Sequence, residues 1–224
     1  MDFLSTYKIA NVYQSFHQID RDSYHTIIRF FGEHVEEIKS LDFEEYFEIL
    51  VCYVNALFEA GAYQKHAAMA DVVIEASIMN NFTVLNGINI FEKTLYQKAS
   101  SLYLLHDYFQ SAHILKELIR INPGESNYRD LLIKNYLQVK PGFLKSSQGL
   151  SIICYFSCVS VIAFTAFYLD PFEPKFSHHA DIARNFLFIG GTLLMIGADG
   201  LHRIYVWFKV FRWIEAAREK IKRG

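Results

Sequence analysis

Asp199, His202 and Arg203 fall within two helical turns of LLMIGADGLHRIYVWF, residues 193 to 208, a stretch otherwise dominated by apolar side chains. An acid, an imidazole and a guanidinium at i, i+3 and i+4 can pair with one another or line water, and ionisable residues inside a bilayer are functional candidates by default. Cys154 and Cys158 stand at i, i+4 in a second apolar stretch. Thiols so placed are usually small packing residues, although two antiparallel spans would set them level with His202 and Asp199 and make a buried metal site geometrically conceivable. His178, His179 and Asp181 offer a second, solvated set of metal ligands. The nine histidines make no HExxH, no Cys/His zinc spacing and no Ser-His-Asp arrangement visible in the sequence, and no Gly-rich phosphate loop is present. The acidic run EHVEEIKSLDFEEYFE reads as a solvated helix face. These residue types point to neither an enzyme nor a resident cofactor or metal.

The elements that position these groups are apolar spans. Leu150 to Leu169 contains no charged residue, and about twenty residues at 1.5 Å each cover a hydrocarbon core of roughly 30 Å. DPFEPKFSHHADIAR follows, with Pro171 and Pro174 breaking the helix. NFLFIGGTLLMIGADGLHRIYVWF is then apolar from Phe186 to Ala198 and mixed as far as Arg203. A transmembrane hairpin is expected, with spans at 148–169 and 185–208 joined by an external loop at 170–184. Lys140 and Lys145 precede it, and Lys209, Arg212, Arg218, Lys220, Lys222 and Arg223 follow in a basic tail, 209–224, suited to anionic lipid head groups. Positive charge at both ends places both termini in the cytosol. On this orientation Asp199 lies roughly 20 Å into the second helix, and Arg203 can snorkel to the inner interface while pairing with Asp199. Ser157 and Ser160 on the first span, with Gly190, Gly197 and Gly200 on the second, allow close helix approach within the hairpin or between copies of it.

Ahead of the spans the chain reads as soluble helices. Residues 1–148 hold 18 acids and 13 bases, whereas residues 149–224 hold 6 and 9. The acidic head argues against nucleic acid, and the basic tail argues for a membrane surface. Strand-type alternation is hard to find, so the class is all-α. Residues 1–42 supply two amphipathic helices. From Phe43 a helix, a Gly61 turn and a second helix reappear as TLYQKASSLYLLHDYFQSAHILKELIRINPGES, with Asp107 at the turn and Pro123 at the end. Ala67 and Ala112, each four residues after an aromatic, let paired helices approach closely. These alanines are 45 residues apart, the surplus lying in NNFTVLNGINIF, expected to be a loop or a helix extension.

Tyr96, Ala99, Ser100, Tyr103, Ala112 and Pro123 stand near the positions where the tetratricopeptide repeat family places its aromatic, small and terminal proline residues, so residues 43–140 resemble that family. The resemblance implies a short solenoid of antiparallel helix pairs that binds a protein partner in a concave groove. Tyr53, Phe58, Tyr63, Tyr96, Tyr103 and Tyr108 are the groove candidates, and each has a competing reading as interhelical packing. Two functions follow as expectations: a membrane-anchored interaction scaffold, or an oligomeric membrane effector whose hairpins assemble into a pore around Asp199, His202 and Arg203.

Overall fold

The computed structural model describes residues 11–85, 87–169 and 177–223. Among the described residues the fold is all-α apart from one two-strand hairpin, and the chain divides into two compact units, Met1–Asn135 and Tyr136–Gly224.

The first unit is organised around α4, Phe43–Glu59, whose first turn carries Glu44 and Glu45 against the positive end of the helix dipole. One side of α4 packs Ile49 and Ala56 against Val12 and Phe16 of α1 (residues 11–17), Ile27 of α2 (Tyr24–Glu33) and Ile38 of α3 (Val35–Lys39). Its other side packs Phe47, Leu50, Val51 and Val54 against Ala70 and Val73 of α5 (Tyr63–Met79) and Ile90 at the start of α6 (Ile90–Leu104). A helix apolar on two sides is buried on two sides. The stretch NNFTVLNGINIF forms β1, Val84–Leu85, antiparallel to β2, Ile88–Asn89. A short strand pair thus stands where a loop or a helix extension is expected from the sequence. Its Phe82 meets Phe43 and Phe47 edge to face, at 6.0 and 5.4 Å between ring centroids, so the insertion closes the end of the α4/α5 core.

α6 pairs with α7, Tyr108–Ile121, and α8, Ser126–Gln138, follows. The two repeated turns share one geometry. Gly61 and His106 are both left-handed, at φ 75° and 64°. Ala62 N–H donates to Leu57 C=O and Asp107 N–H to Leu102 C=O, each at 2.9 Å, while Gly61 donates to Phe58 and His106 to Tyr103. This is a Schellman C-cap at both turns, 45 residues apart, and the same pair of bonds closes α5, where Asn81 is left-handed and Phe82 N–H donates to Ser77 C=O. The left-handed turn position in the second copy is therefore His106, and Asp107 instead caps α7 by accepting from Gln110 N–H at 3.1 Å.

The second unit is a helical hairpin of α9, Gly142–Phe164, continued by a π-helical turn at Thr165–Leu169, and α10, Ser177–Arg223. Both helices are long and apolar enough to cross a membrane. α10 is continuous over 47 residues, about 70 Å. Two expected boundaries are corrected by this continuity: residues 177–184 belong to a helix rather than a loop, and 209–223 are not a separate tail. The physical reason is that both proline breakers, Pro171 and Pro174, precede Ser177, while the Asp181–Arg184 ion pair at i, i+3, 2.9 Å, supports the first turns. Residues 170–176 of the expected loop, residues 1–10 of the first helical pair and the side chain of Arg223 lie outside the described residues.

Candidate functional site

Three contacts fix the register of the hairpin. Ser147 Oγ donates to Leu194 C=O at 2.9 Å, the Tyr155 and Thr192 hydroxyls are 3.1 Å apart, and Cys158 Sγ lies 3.7 Å from Arg184 C=O. Gly191 is buried against α9: a Cβ there would lie 3.2 Å from Cys154 Cβ and 3.5 Å from Ser151 C=O. Ser151 thus faces Gly191, and Cys158 faces Arg184.

This register corrects the expected depths. Cys154 and Cys158 are level with Gly191 and Arg184, not with His202 and Asp199, and eight residues of helix from Gly191 to Asp199 are about 12 Å. The conceivable thiol, imidazole and carboxylate site therefore does not assemble, and no three His, Cys, Asp or Glu among the described residues converge as metal ligands. The rings of His178 and His179 are 6.2 Å apart. Extending the same register places Asp199 beside the first turn of α9, so the trio sits at the Lys145 end of the hairpin. There Arg203 Nε donates to Asp199 Oδ2 at 3.2 Å, with side chains 70% and 42% exposed. His202 is 6% exposed, and both of its ring nitrogens lack a hydrogen-bond partner.

Of the small residues expected at the seam, Gly190, Gly197 and Gly200 have nothing within 4 Å of a Cβ position. Ser160 is exposed and bonds its own helix at Phe156 C=O, and Ser157 is half-buried. The close approach is made by Gly191, Ser151 and Cys154 instead. Gly191 is one residue from Gly190 and projects about 100° round the helix from it, a direction that spacing alone does not orient toward α9.

Beyond the apolar run, Lys209 Nζ lies 4.5 Å from the centroid of the Tyr136 ring and 6.0 Å from that of Tyr205. Tyr205, Phe208, Lys209, Arg212, Trp213 and Ala216 border an open groove of about 400 Å³. Arg218, Lys220 and Lys222 are exposed further along the same helix.

In the first unit the groove aromatics mostly pack against their neighbours. Tyr53 stacks on Phe31 at 3.9 Å, Phe58 meets Tyr63 and His66, Tyr96 meets Tyr128, and Tyr103 meets Tyr108. All six are half-buried, whereas Phe109 is 86% exposed. Between α5 and α6 the fully buried His66 receives or donates a 2.8 Å bond at Ser101 Oγ, and burial pushes its imidazole down to about 4. Tyr13 donates to Glu48 at 2.8 Å, and that bond, followed by burial, pushes the phenol up to about 12. Burial raises the Cys52 thiol as well.

A cavity of about 410 Å³ lies under the α1–α2 connection, with Phe16, His17, Arg21, Asp22, Asn55 and Lys93 among its lining. Gln97 donates to Asn55 across its wall at 2.8 Å, and Glu48 draws His17 and Arg21 together at 3.9 and 4.0 Å. No spacing in the sequence announces this cavity, because its residues come from four helices. No family model matches the chain, and no curated protein or solved structure matches it either.

Proposed function

We propose that the chain is a membrane-anchored interaction scaffold, in which the first unit recruits a protein partner and the hairpin holds it at the bilayer. The observation that carries this reading is the surface of the hairpin. Ile153, Phe156, Val159, Phe186, Leu193 and Ile196 are more than half exposed, and contiguous apolar surface of this extent is stable only against hydrocarbon or another protein. The first unit buries apolar residues in clusters of its own, two of them on either side of α4, and Leu115, Leu118, Ile119 and Leu132 are buried as well. Its α4/α5 and α6/α7 pairs, repeated with the same turn geometry, support a tetratricopeptide-like reading and hence a partner of extended or helical peptide character. Both termini are then cytosolic, Lys209 and Arg212 lie within about 15 Å of the inner interface where anionic head groups are in reach, and Asp199 with Arg203 forms a self-neutralising pair near that interface.

The test is a photo-crosslinking residue at Tyr103 in the full chain in native membranes. The expected result is one recurrent protein adduct lost from a chain carrying Phe109→Ser with Tyr108→Ala. Adducts to lipid alone, together with dye release from vesicles bearing the purified chain, would replace the scaffold by the pore.

A further inference from the structure

Seen down α10, five of the seven polar side chains between residues 181 and 203 share one line, while Arg184 and His202 project about 80° away, on the side of Gly191. At 100° per residue, Asp181, Asn185, Thr192, Asp199 and Arg203 fall in one sector roughly 40° wide, and no other residue between 181 and 203 falls in it. The line is therefore polar at every position, while the flanking positions include Phe188 and Ile196. It runs about 100° round the helix from Gly191, which faces α9, so α9 covers it at its middle, where Tyr155 meets Thr192 and Phe188, and leaves its two ends open. Asn185 and Arg203 are exposed, and Asp181, Thr192 and Asp199 are partly so. Thr192 reaches α9 through the Tyr155 hydroxyl.

We infer that this line is the seam between two copies of the hairpin, packed side by side and in parallel around a two-fold axis. The inference rests on the reading of the hairpin as a membrane segment. Exposed amide, hydroxyl and carboxylate groups are costly against acyl chains, and small polar side chains that hydrogen-bond across helices are a known way of satisfying them. A second copy is the occupant that complements the line. In an isologous pair equal levels meet, so each Asn185 amide finds an amide that can both donate and accept, each Thr192 meets a hydroxyl, and the two Asp199 carboxylates, brought to one level, are each offset by the Arg203 one turn away on its own helix and on the second copy. Asn185, Thr192 and Asp199 are spaced by seven residues, the period that keeps one seam facing a partner helix in a left-handed pair. An antiparallel pair would set the first units on opposite sides of the bilayer.

The test uses the full chain, with Cys52, Cys154 and Cys158 replaced by Ala, in phosphatidylcholine vesicles. Thr192→Cys is compared with Gly190→Cys, which lies at nearly the same depth but about 160° away on the helix. Mild oxidation should give disulfide-linked dimers at position 192 in roughly tenfold excess over position 190, and Asn185→Leu with Thr192→Val should lower association by about the same factor. Equal or greater linkage at position 190, or no linkage at either position with a monomeric mass in detergent, overturns the inference. Alkaline carbonate extraction of the same vesicles separates the two levels. A chain retained but monomeric defeats this seam alone, and a chain released defeats the membrane reading and the seam together.

Discussion

His66 illustrates how much one residue carries in the first unit. It lies between α5 and α6, bonded to Ser101 and held near pH 4 by burial. An unfolded histidine titrates near 6.5, so below that pH the unfolded chain binds a proton that the folded chain refuses. Stability conferred by the neutral imidazole is full above about pH 6.5 and is lost as pH falls toward about 4, a loss on the order of 3 kcal/mol. Urea unfolding at pH 7.5 and pH 5 should show this fall, and His66→Gln should flatten it. Asp199 and Arg203 raise the same issue of an unpaired group in the second unit. Asp199→Leu strands the guanidinium and should reduce membrane insertion, at a cost of about 1 to 3 kcal/mol. Adding Arg203→Leu removes the stranded charge, so the carbonate-resistant fraction should return to near the wild-type level. Dye leakage that disappears in the double variant would instead mark the pair as part of a conduit.

Among the elements, α9 and α10 meet where Gly191 admits Cys154 and Ser151. Gly191→Leu forces these backbones apart and should cost about 1 to 3 kcal/mol, read as a lower melting temperature of the full chain in detergent. Gly197→Leu points into open space and should leave the melting temperature unchanged. The elements were legible in the sequence to different degrees. Leu150–Leu169 announces a long apolar helix because nothing charged interrupts it, and Gly61 announces a turn because few residues tolerate a positive φ. His106 adopts the same conformation without that signature, held by the Schellman bonds of Tyr103 and Leu102. The continuity of α10 through Lys209 was hidden, because a change from apolar to basic residues alters what a helix faces and not whether it is a helix. The register of the hairpin was hidden too. It depends on which glycine faces α9, and it moved Cys158 from the level of Asp199 to that of Arg184.

At the scale of the whole molecule, two units with opposite surface chemistry share one chain. The first buries clusters of apolar residues on both sides of α4, and the second displays apolar residues along α9 and α10. The cavity among α1, α2, α4 and α6 and the polar line on α10 were beyond a reading by linear spacing, the first because its residues are distant in sequence, the second because it appears only once the residues are projected onto one helix. The central claim is that the hairpin crosses the bilayer while the first unit and the end of α10 remain on the same side. It is tested most directly by labelling single cysteines, placed at Gln110, His178 or Lys220 of an otherwise cysteine-free full chain, with an impermeant maleimide in intact cells. The account predicts labelling at position 178 alone, with positions 110 and 220 labelled only after permeabilisation. Labelling at 110 or 220 in intact cells, with 178 protected, would contradict it.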